Sequence, residues 1–171
     1  MITDAYNTLT VSTGTLASGS SVYSTDAIDL RLNGTATTTG DIGEGTTLYV
    51  SLFITTTFAG SGGATANIEV GFATDAAGTS FGNVWSSGAT AFGSIPAATA
   101  AGAPGVNSQT GHFVSFSVQP LKAGGFNPYL LLKITGGGGA NLTAGTVRAH
   151  IALEPYDAKQ IGLYASGYTV L

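Results

Sequence analysis

Charged residues are scarce in this sequence, and cysteine is absent. Only 8% of the 171 residues are charged, whereas soluble domains carry roughly 25%. Such a surface has few charges to prevent association. This composition therefore favours a protein that is bound to other proteins over a freely diffusing enzyme. The absence of cysteine excludes disulfides and thiolate metal sites, so extra stability must come from packing or association.

Basic runs and long apolar runs are also absent. Nine acidic residues outnumber five basic ones, and no basic cluster could neutralise phosphates, so nucleic-acid binding is disfavoured. No apolar run approaches the roughly 20 residues of a membrane span, so we expect no membrane partner. The N-terminal residues 1–6 have neither a basic region nor an apolar stretch, so a classical secretory signal is not expected.

The sequence consists mainly of short β-branched or aromatic runs, each closed by Gly, Asn or Ser. This pattern is typical of strands and turns in an all-β domain, and signals for helices are nearly missing. Two weaker strand candidates are residues 9–11 and 84–85. The six strands predicted first are residues 22–32, 47–58, 66–74, 112–118, 129–135 and 146–153.

Glycine-rich stretches separate the predicted strands. Residues 60–63, 97–105 and 136–139 are too permissive for strand interiors and are predicted to be loops. The run of four glycines at 136–139 lacks the Gly-Lys-Ser/Thr ending of a phosphate-binding loop. We therefore predict an all-β fold, a jelly-roll-like antiparallel β-sandwich with extended N- and C-terminal arms. The predicted N-terminal arm comprises residues 1–19, the predicted sandwich comprises residues 20–155, and the predicted C-terminal extension comprises residues 156–171.

Candidate catalytic groups are few. His112 and His150 are the only near-neutral proton carriers, and each lies inside a predicted strand. Alternation along its strand puts His150 on the outward face with Arg148. A glycosidase would need two paired carboxylates, for which Glu69 and Glu154 are the best candidates, although their pairing is not readable from sequence. We expect no enzymatic activity and no cofactor.

Two further features have a functional and an ordinary interpretation. Trp85 could form a platform on which a sugar stacks, but a lone tryptophan beside Ser and Gly is more often in the core or at its rim. The cluster at residues 41–45 contains Asp41 and Glu44, which are too few ligands for a calcium site. We interpret it as a tight turn with outward carboxylates, and we expect no metal.

The C-terminal segment differs from the rest of the chain because it alternates without a turn that would return it to a sheet. It contains three tyrosines, which supply large contact areas with one polar end and are enriched at interfaces. The segment therefore either packs on its own sandwich or docks on a neighbouring subunit.

Several short motifs, in their order and spacing, resemble the cement proteins of short-tailed bacteriophages of the Bordetella-phage type. The resemblance covers most of residues 20–155. It rests on Ala27-Ile28-Asp29-Leu30, on Asp41-Ile42-Gly43-Glu44-Gly45 leading into Leu48-Tyr49-Val50, on Thr57-Phe58-Ala59, on Ala66-Asn67-Ile68-Glu69-Val70, on Tyr129-Leu130-Leu131-Leu132, on Leu142-Thr143-Ala144-Gly145-Thr146-Val147 and on Ala149-His150-Ile151-Ala152-Leu153. The segment 88–105, rich in Gly, Ala and Pro, departs from the family.

The resemblance implies a non-enzymatic jelly-roll protein on the outer surface of the virion, made in the host cytoplasm. Such a protein clamps neighbouring major capsid subunits of the expanded shell and acts as a symmetric homo-oligomer, a dimer or a trimer. The residues predicted to contact the capsid or a second subunit are Tyr6, Leu9, Tyr156, Tyr164, Tyr168 and Leu171. Two alternatives stay open: a carbohydrate-binding β-sandwich module of a virion or secreted protein, and a coat subunit that assembles into shells by itself.

Overall fold

Nine β-strands form the regular structure of the residues that the computed structural model describes, which are 8–30, 47–60, 63–87, 111–118 and 127–152. No helix occurs in these ranges. The strands are β1 (Thr8–Ser12), β2 (Ser21–Tyr23), β3 (Ile28–Asp29), β4 (Leu48–Gly60), β5 (Thr65–Ala73), β6 (Gly82–Ser86), β7 (Gly111–Val118), β8 (Tyr129–Gly137) and β9 (Leu142–Ala152).

The strands form two antiparallel sheets whose apolar faces pack against each other. Sheet A has the order β1-β9-β4-β7, and sheet B has the order β2-β8-β5-β6, with β3 also paired to β8. The prediction of an all-β antiparallel sandwich is confirmed. With β2 and β3 counted as one interrupted strand, the strand order is compatible with the predicted jelly-roll-like arrangement.

Each of the six strongly predicted segments contains strand structure, but residues 22–32 do not form one continuous strand. Instead, β2 and β3 both pair with β8 and are separated by a bend. At the bend, the Oγ of Ser24 accepts a hydrogen bond from the backbone N–H of Leu132, and the N–H of Thr25 donates to the carbonyl oxygen of Thr10 in β1. The bend therefore ties this edge of sheet B to sheet A.

The described part of the predicted N-terminal arm belongs to the sandwich. All five residues of β1 pair with β9, and Leu16 forms an isolated bridge with Leu142. Leu9 and Val11 alternate inward along β1 and are fully or almost fully buried. The sandwich thus begins earlier than residue 20. The C-terminal extension, predicted at 156–171, lies outside the described residues.

Among the described residues, the core consists of aliphatic side chains from both sheets and of two aromatic rings, that of Phe58, which is fully buried, and that of Phe72, which is 8% exposed. Its largest fully buried members are Phe58, Leu9, Leu52, Ile54, Ile68, Leu130, Leu132, Ile134, Leu142 and Val11. Gly145 of β9 lies directly against the Phe58 ring and has a φ of 148°. A Cβ atom at Gly145 would lie 2.9 Å from Cγ of Phe58 and closer still to two other ring atoms. Glycine at this position therefore makes room for the ring.

We expect Gly145→Ala to lower the free energy of unfolding by about 1–3 kcal/mol more than Gly111→Ala does. Both glycines have a similar positive φ, but a Cβ at Gly111 would meet no atom within 4 Å. Gly111→Ala therefore imposes a similar backbone strain without any overlap between the new Cβ atom and a neighbouring side chain. The measurement is urea unfolding of both variants and the wild type. Equal losses for the two variants would contradict the proposed packing of Phe58.

Candidate interaction surface

The outward side of sheet A carries hydroxyl groups, aromatic rings and, among the described residues, one cation, that of Arg148. We call this surface the sheet A face. Alternation turns Leu48, Val50 and Leu52 of β4 inward and places Tyr49, Ser51 and Phe53 on the other side of the strand, where Ser51 is nevertheless buried, at 2% exposure. The residues of this face are Thr8 and Thr10 of β1, Arg148 and His150 of β9, Tyr49, Ser51 and Phe53 of β4, and Ser115 and Ser117 of β7.

Strand register assembles these side chains into rows across the sheet. Thr8 pairs with His150, which pairs with Ser51, which pairs with Ser115. Within this row the Oγ atoms of Ser51 and Ser115 are 2.8 Å apart and share a hydrogen bond. Oγ1 of Thr8 lies 3.4 Å from Nδ1 of His150. The row is therefore a polar strip across the four strands, in which the Ser51 side chain is buried.

His150 of the polar strip also forms an aromatic pair with Phe53. The rings of Phe53 and His150 meet edge to face, with centroids 5.1 Å apart and an interplanar angle of 81°. Tyr49 lies on the same strand as Phe53 and pairs with Ala152, the last described residue of β9. Phe53, Tyr49 and His150 are each half-buried, so they present flat, partly apolar surface outward.

Two effects lower the pKa of His150 below its usual value of 6.5. The larger is burial of the imidazole, which penalises the charged form, and the second is repulsion by the positive charge of Arg148. The sequence prediction that His150 and Arg148 share an outward face is confirmed by the burial pattern of β9. His150 is therefore neutral at neutral pH, and Arg148 supplies the charge of this face.

The outward side of sheet B contains an ion pair capped by aromatic rings. Nζ of Lys133 lies 2.9 Å from Oε2 of Glu69, and Thr135 donates a hydrogen bond to the same oxygen at 3.3 Å. The ammonium also lies over the Phe81 ring, 5.2 Å from its centroid, and that ring meets Tyr23 edge to face at 5.5 Å. These groups satisfy one another within the chain.

Gly71 explains why Phe81 can lie over sheet B. A Cβ at Gly71 would be 2.7 Å from the Phe81 ring and would also overlap the backbone of β6. The loop before Phe81 is held by Asp75, whose Oδ1 accepts hydrogen bonds from the N–H groups of Ala77 and Thr79. Hydrogen bonding from the side chain of Thr79, followed by its backbone N–H, lowers the pKa of Asp75.

The described residues bring together no pair from Glu69 and Glu154, the two carboxylates considered as candidates for a glycosidase. Glu69 is engaged by Lys133, and Glu154 lies outside the described residues. His112 belongs to β7, as predicted, but its side chain is not among those described. The cluster at 41–45 also lies outside the described residues.

Trp85 lies at the rim of the core, in agreement with the ordinary interpretation of this residue. Its indole stacks on Phe116 with centroids 4.4 Å apart and an interplanar angle of 9°. Trp85 belongs to β6 of sheet B and Phe116 to β7 of sheet A, so the stack joins the two sheets at one edge. One face of the indole is therefore occupied by its own chain, which weakens the case for a sugar platform.

Leu9 is a correction among the predicted contact residues. Its side chain is fully buried in the protein's own core, where β1 pairs with β9, so it exposes no surface to a partner. Tyr6, Tyr156, Tyr164, Tyr168 and Leu171 lie outside the described residues. Sequence analysis missed Tyr49 and Phe53 as outward residues, although the alternation with Val50 and Leu52 was a usable signal.

Neither a metal cluster nor a spanning helix occurs in the described ranges. No group of three or more His, Asp or Glu side chains there could hold a metal ion. None of the described segments is a helix with the length and apolar character needed to cross a bilayer.

No protein-family model matches the chain, and no curated protein matches it either.

We expect the imidazole of His150 to titrate below 6.5 in a proton NMR titration of the C2–H resonance, assigned with His150→Gln. Because burial is the larger cause, Arg148→Gln should raise the pKa without restoring the usual value. A depressed pKa in the folded state means that the unfolded chain binds more protons, so stability should fall as the pH drops below 6.5. A titration at or above 6.5 in the wild type would contradict this environment.

Removal of the Lys133 ammonium should lower the free energy of unfolding by about 1–2 kcal/mol. The side chain of Glu69 is only 12% exposed, and Lys133→Met leaves it without its cation. Arg148→Met is the matched control, since Arg148 is exposed, and it should change stability by no more than about 0.5 kcal/mol. Equal effects of the two substitutions in thermal or urea unfolding would show that the ion pair contributes nothing.

Proposed function

We propose that this protein is a capsid cement protein, which binds the outside of an icosahedral bacteriophage head and staples neighbouring major capsid subunits. In this role it stabilises the expanded shell and performs no chemistry. The proposal combines the resemblance of the short motifs to phage cement proteins with a β-sandwich fold and an outer surface poor in charge.

The observation that carries the proposal is the position of the first and last residues of the described sandwich, Thr8 and Ala152. Thr8, the first residue of β1, pairs with His150, and Ala152, the last described residue of β9, pairs with Tyr49. Both ends of the described sandwich therefore lie at the same end of sheet A, beside aromatic residues of the sheet A face. Tyr6 is two residues before Thr8 in the sequence, and the tyrosine-bearing segment follows Ala152, so in this proposal both contact the same partner.

The surface chemistry of this side also supports a protein partner. The hydroxyl groups of Thr8 and Ser115 are uncharged hydrogen-bonding groups outside the core, and half-buried Tyr49 and Phe53 offer flat apolar area. Uncharged groups of this kind have a smaller desolvation cost than charged ones when another protein covers them. Each contact is modest, and repetition across a closed shell adds many of them together by avidity.

The first test is co-sedimentation of the purified protein with expanded, undecorated capsids, together with the mass of the free oligomer by light scattering. We expect saturable binding by a defined dimer or trimer, and shells that survive hotter or more dilute conditions. If the protein fails to bind capsids but is retained on a glycan array, it is a carbohydrate-binding module and not a cement protein. Assembly of the purified chain into closed shells would identify a coat subunit.

Deletion of residues 157–171 should weaken capsid binding while the sandwich stays folded. The described sandwich ends before this segment, and the segment holds Tyr164, Tyr168 and Leu171. The measurement is co-sedimentation, with far-UV circular dichroism and the midpoint of thermal unfolding as folding controls. Tyr164→Ala with Tyr168→Ala serves as a milder variant of the same length as the wild type. Unchanged decoration by the truncated protein would overturn the role of the tail.

A further inference from the structure

The charges of the described residues are divided between the two sides of the sandwich. All four carboxylates lie in sheet B or in connections between its strands, at Asp26, Asp29, Glu69 and Asp75. None lies in β1, β4, β7 or β9, the strands of sheet A. In a protein with a net charge of −4, one side of the sandwich is therefore free of negative charge within the described ranges.

Arg148 is the only Lys or Arg on the sheet A side among the described residues. It is exposed, and its neighbours in the register are Thr10 of β1 and Phe53 of β4. The cation on the other side, Lys133, is already paired with Glu69 at 2.9 Å. Arg148 is thus an exposed guanidinium in a sheet without a carboxylate, surrounded by hydroxyl and aromatic groups.

We propose that the sheet A face is the side that docks on the capsid, and that Arg148 binds a carboxylate on the outer surface of the shell. The guanidinium matches a carboxylate with two parallel hydrogen bonds, and Phe53, its register partner on β4, supplies apolar contact beside the pair. Sheet B, which bears the carboxylates, faces away from the shell. This inference rests on the proposed function and adds an orientation and a chemistry to it.

Charge complementarity selects an acidic protein surface as the occupant of this face. Binding to a nucleic acid requires several cations that neutralise successive phosphates, whereas the described residues of this face contain one arginine and a neutral histidine. The carboxylates of sheet B would be repelled by an acidic partner, so the division of charge favours one docking orientation over its reverse.

The test is quantitative binding of the full-length protein to expanded, undecorated capsids. Arg148→Glu should weaken binding at least about tenfold, because it places like charges together at the contact, and Arg148→Gln should weaken it less. The matched control is Ala76→Glu with Ala77→Glu, which adds two negative charges at exposed positions of the loop on the sheet B side. This control should bind as the wild type does.

Salt provides a second readout that a loss of folding would not produce. The difference in affinity between the wild type and Arg148→Gln should shrink at about 0.5 M salt, since an exposed charge pair is screened. If the wild type and Arg148→Glu bind capsids with equal affinity, the proposed docking face is wrong, whereas the proposed cement function is unaffected. Equal weakening by the loop control would also overturn the docking face. No capsid binding by the wild type would overturn both proposals.

Discussion

The packing of two apolar inner faces against each other is the constraint on which the rest of this structure depends. Side chains alternate along each strand, so the residues on either side of an inward Leu, Val or Ile point to the outer face of the sheet. Most successive strands change sheets, as β4 does to β5 and β8 to β9, and the core therefore joins residues that are distant in sequence. Burial of aliphatic side chains has to stabilise this arrangement without help from disulfides.

The edges of the sandwich are closed by specific contacts that complement the core. The bend at Ser24 and Thr25 ties the β2 edge of sheet B to β1 of sheet A. The Trp85–Phe116 stack does the same at the β6 and β7 edge. Glycine permits close packing where a ring needs space, at Gly145 beneath Phe58 and at Gly71 beneath Phe81. The high glycine content therefore has a packing role as well as a role in loops.

The two outer faces have different physical characters. On sheet B, Glu69, Lys133 and Phe81 satisfy one another, which holds the loop that precedes Phe81 against the sheet. On sheet A, Arg148 is exposed beside neutral hydroxyl and aromatic groups, and Thr8 and Ala152, where the described sandwich begins and ends, lie at the same end of this sheet. A face of this kind is suited to many modest contacts with another protein, which is the physical basis of the proposed cement function.

The sequence by itself determined the fold class, because period-two alternation and β-branched runs are local properties of the chain. It also placed Arg148 and His150 on one outward face, since alternation within β9 requires nothing outside that strand. Only the tertiary structure decided that residues 8–19 belong to the sandwich and that Leu9 lies in its core, because β1 gains its partner from β9 at the other end of the chain. The same holds for the Glu69–Lys133 pair, the Trp85–Phe116 stack and the division of charge between the sheets. Each depends on strand order and register, which are set by long-range pairing and leave no local pattern in the sequence.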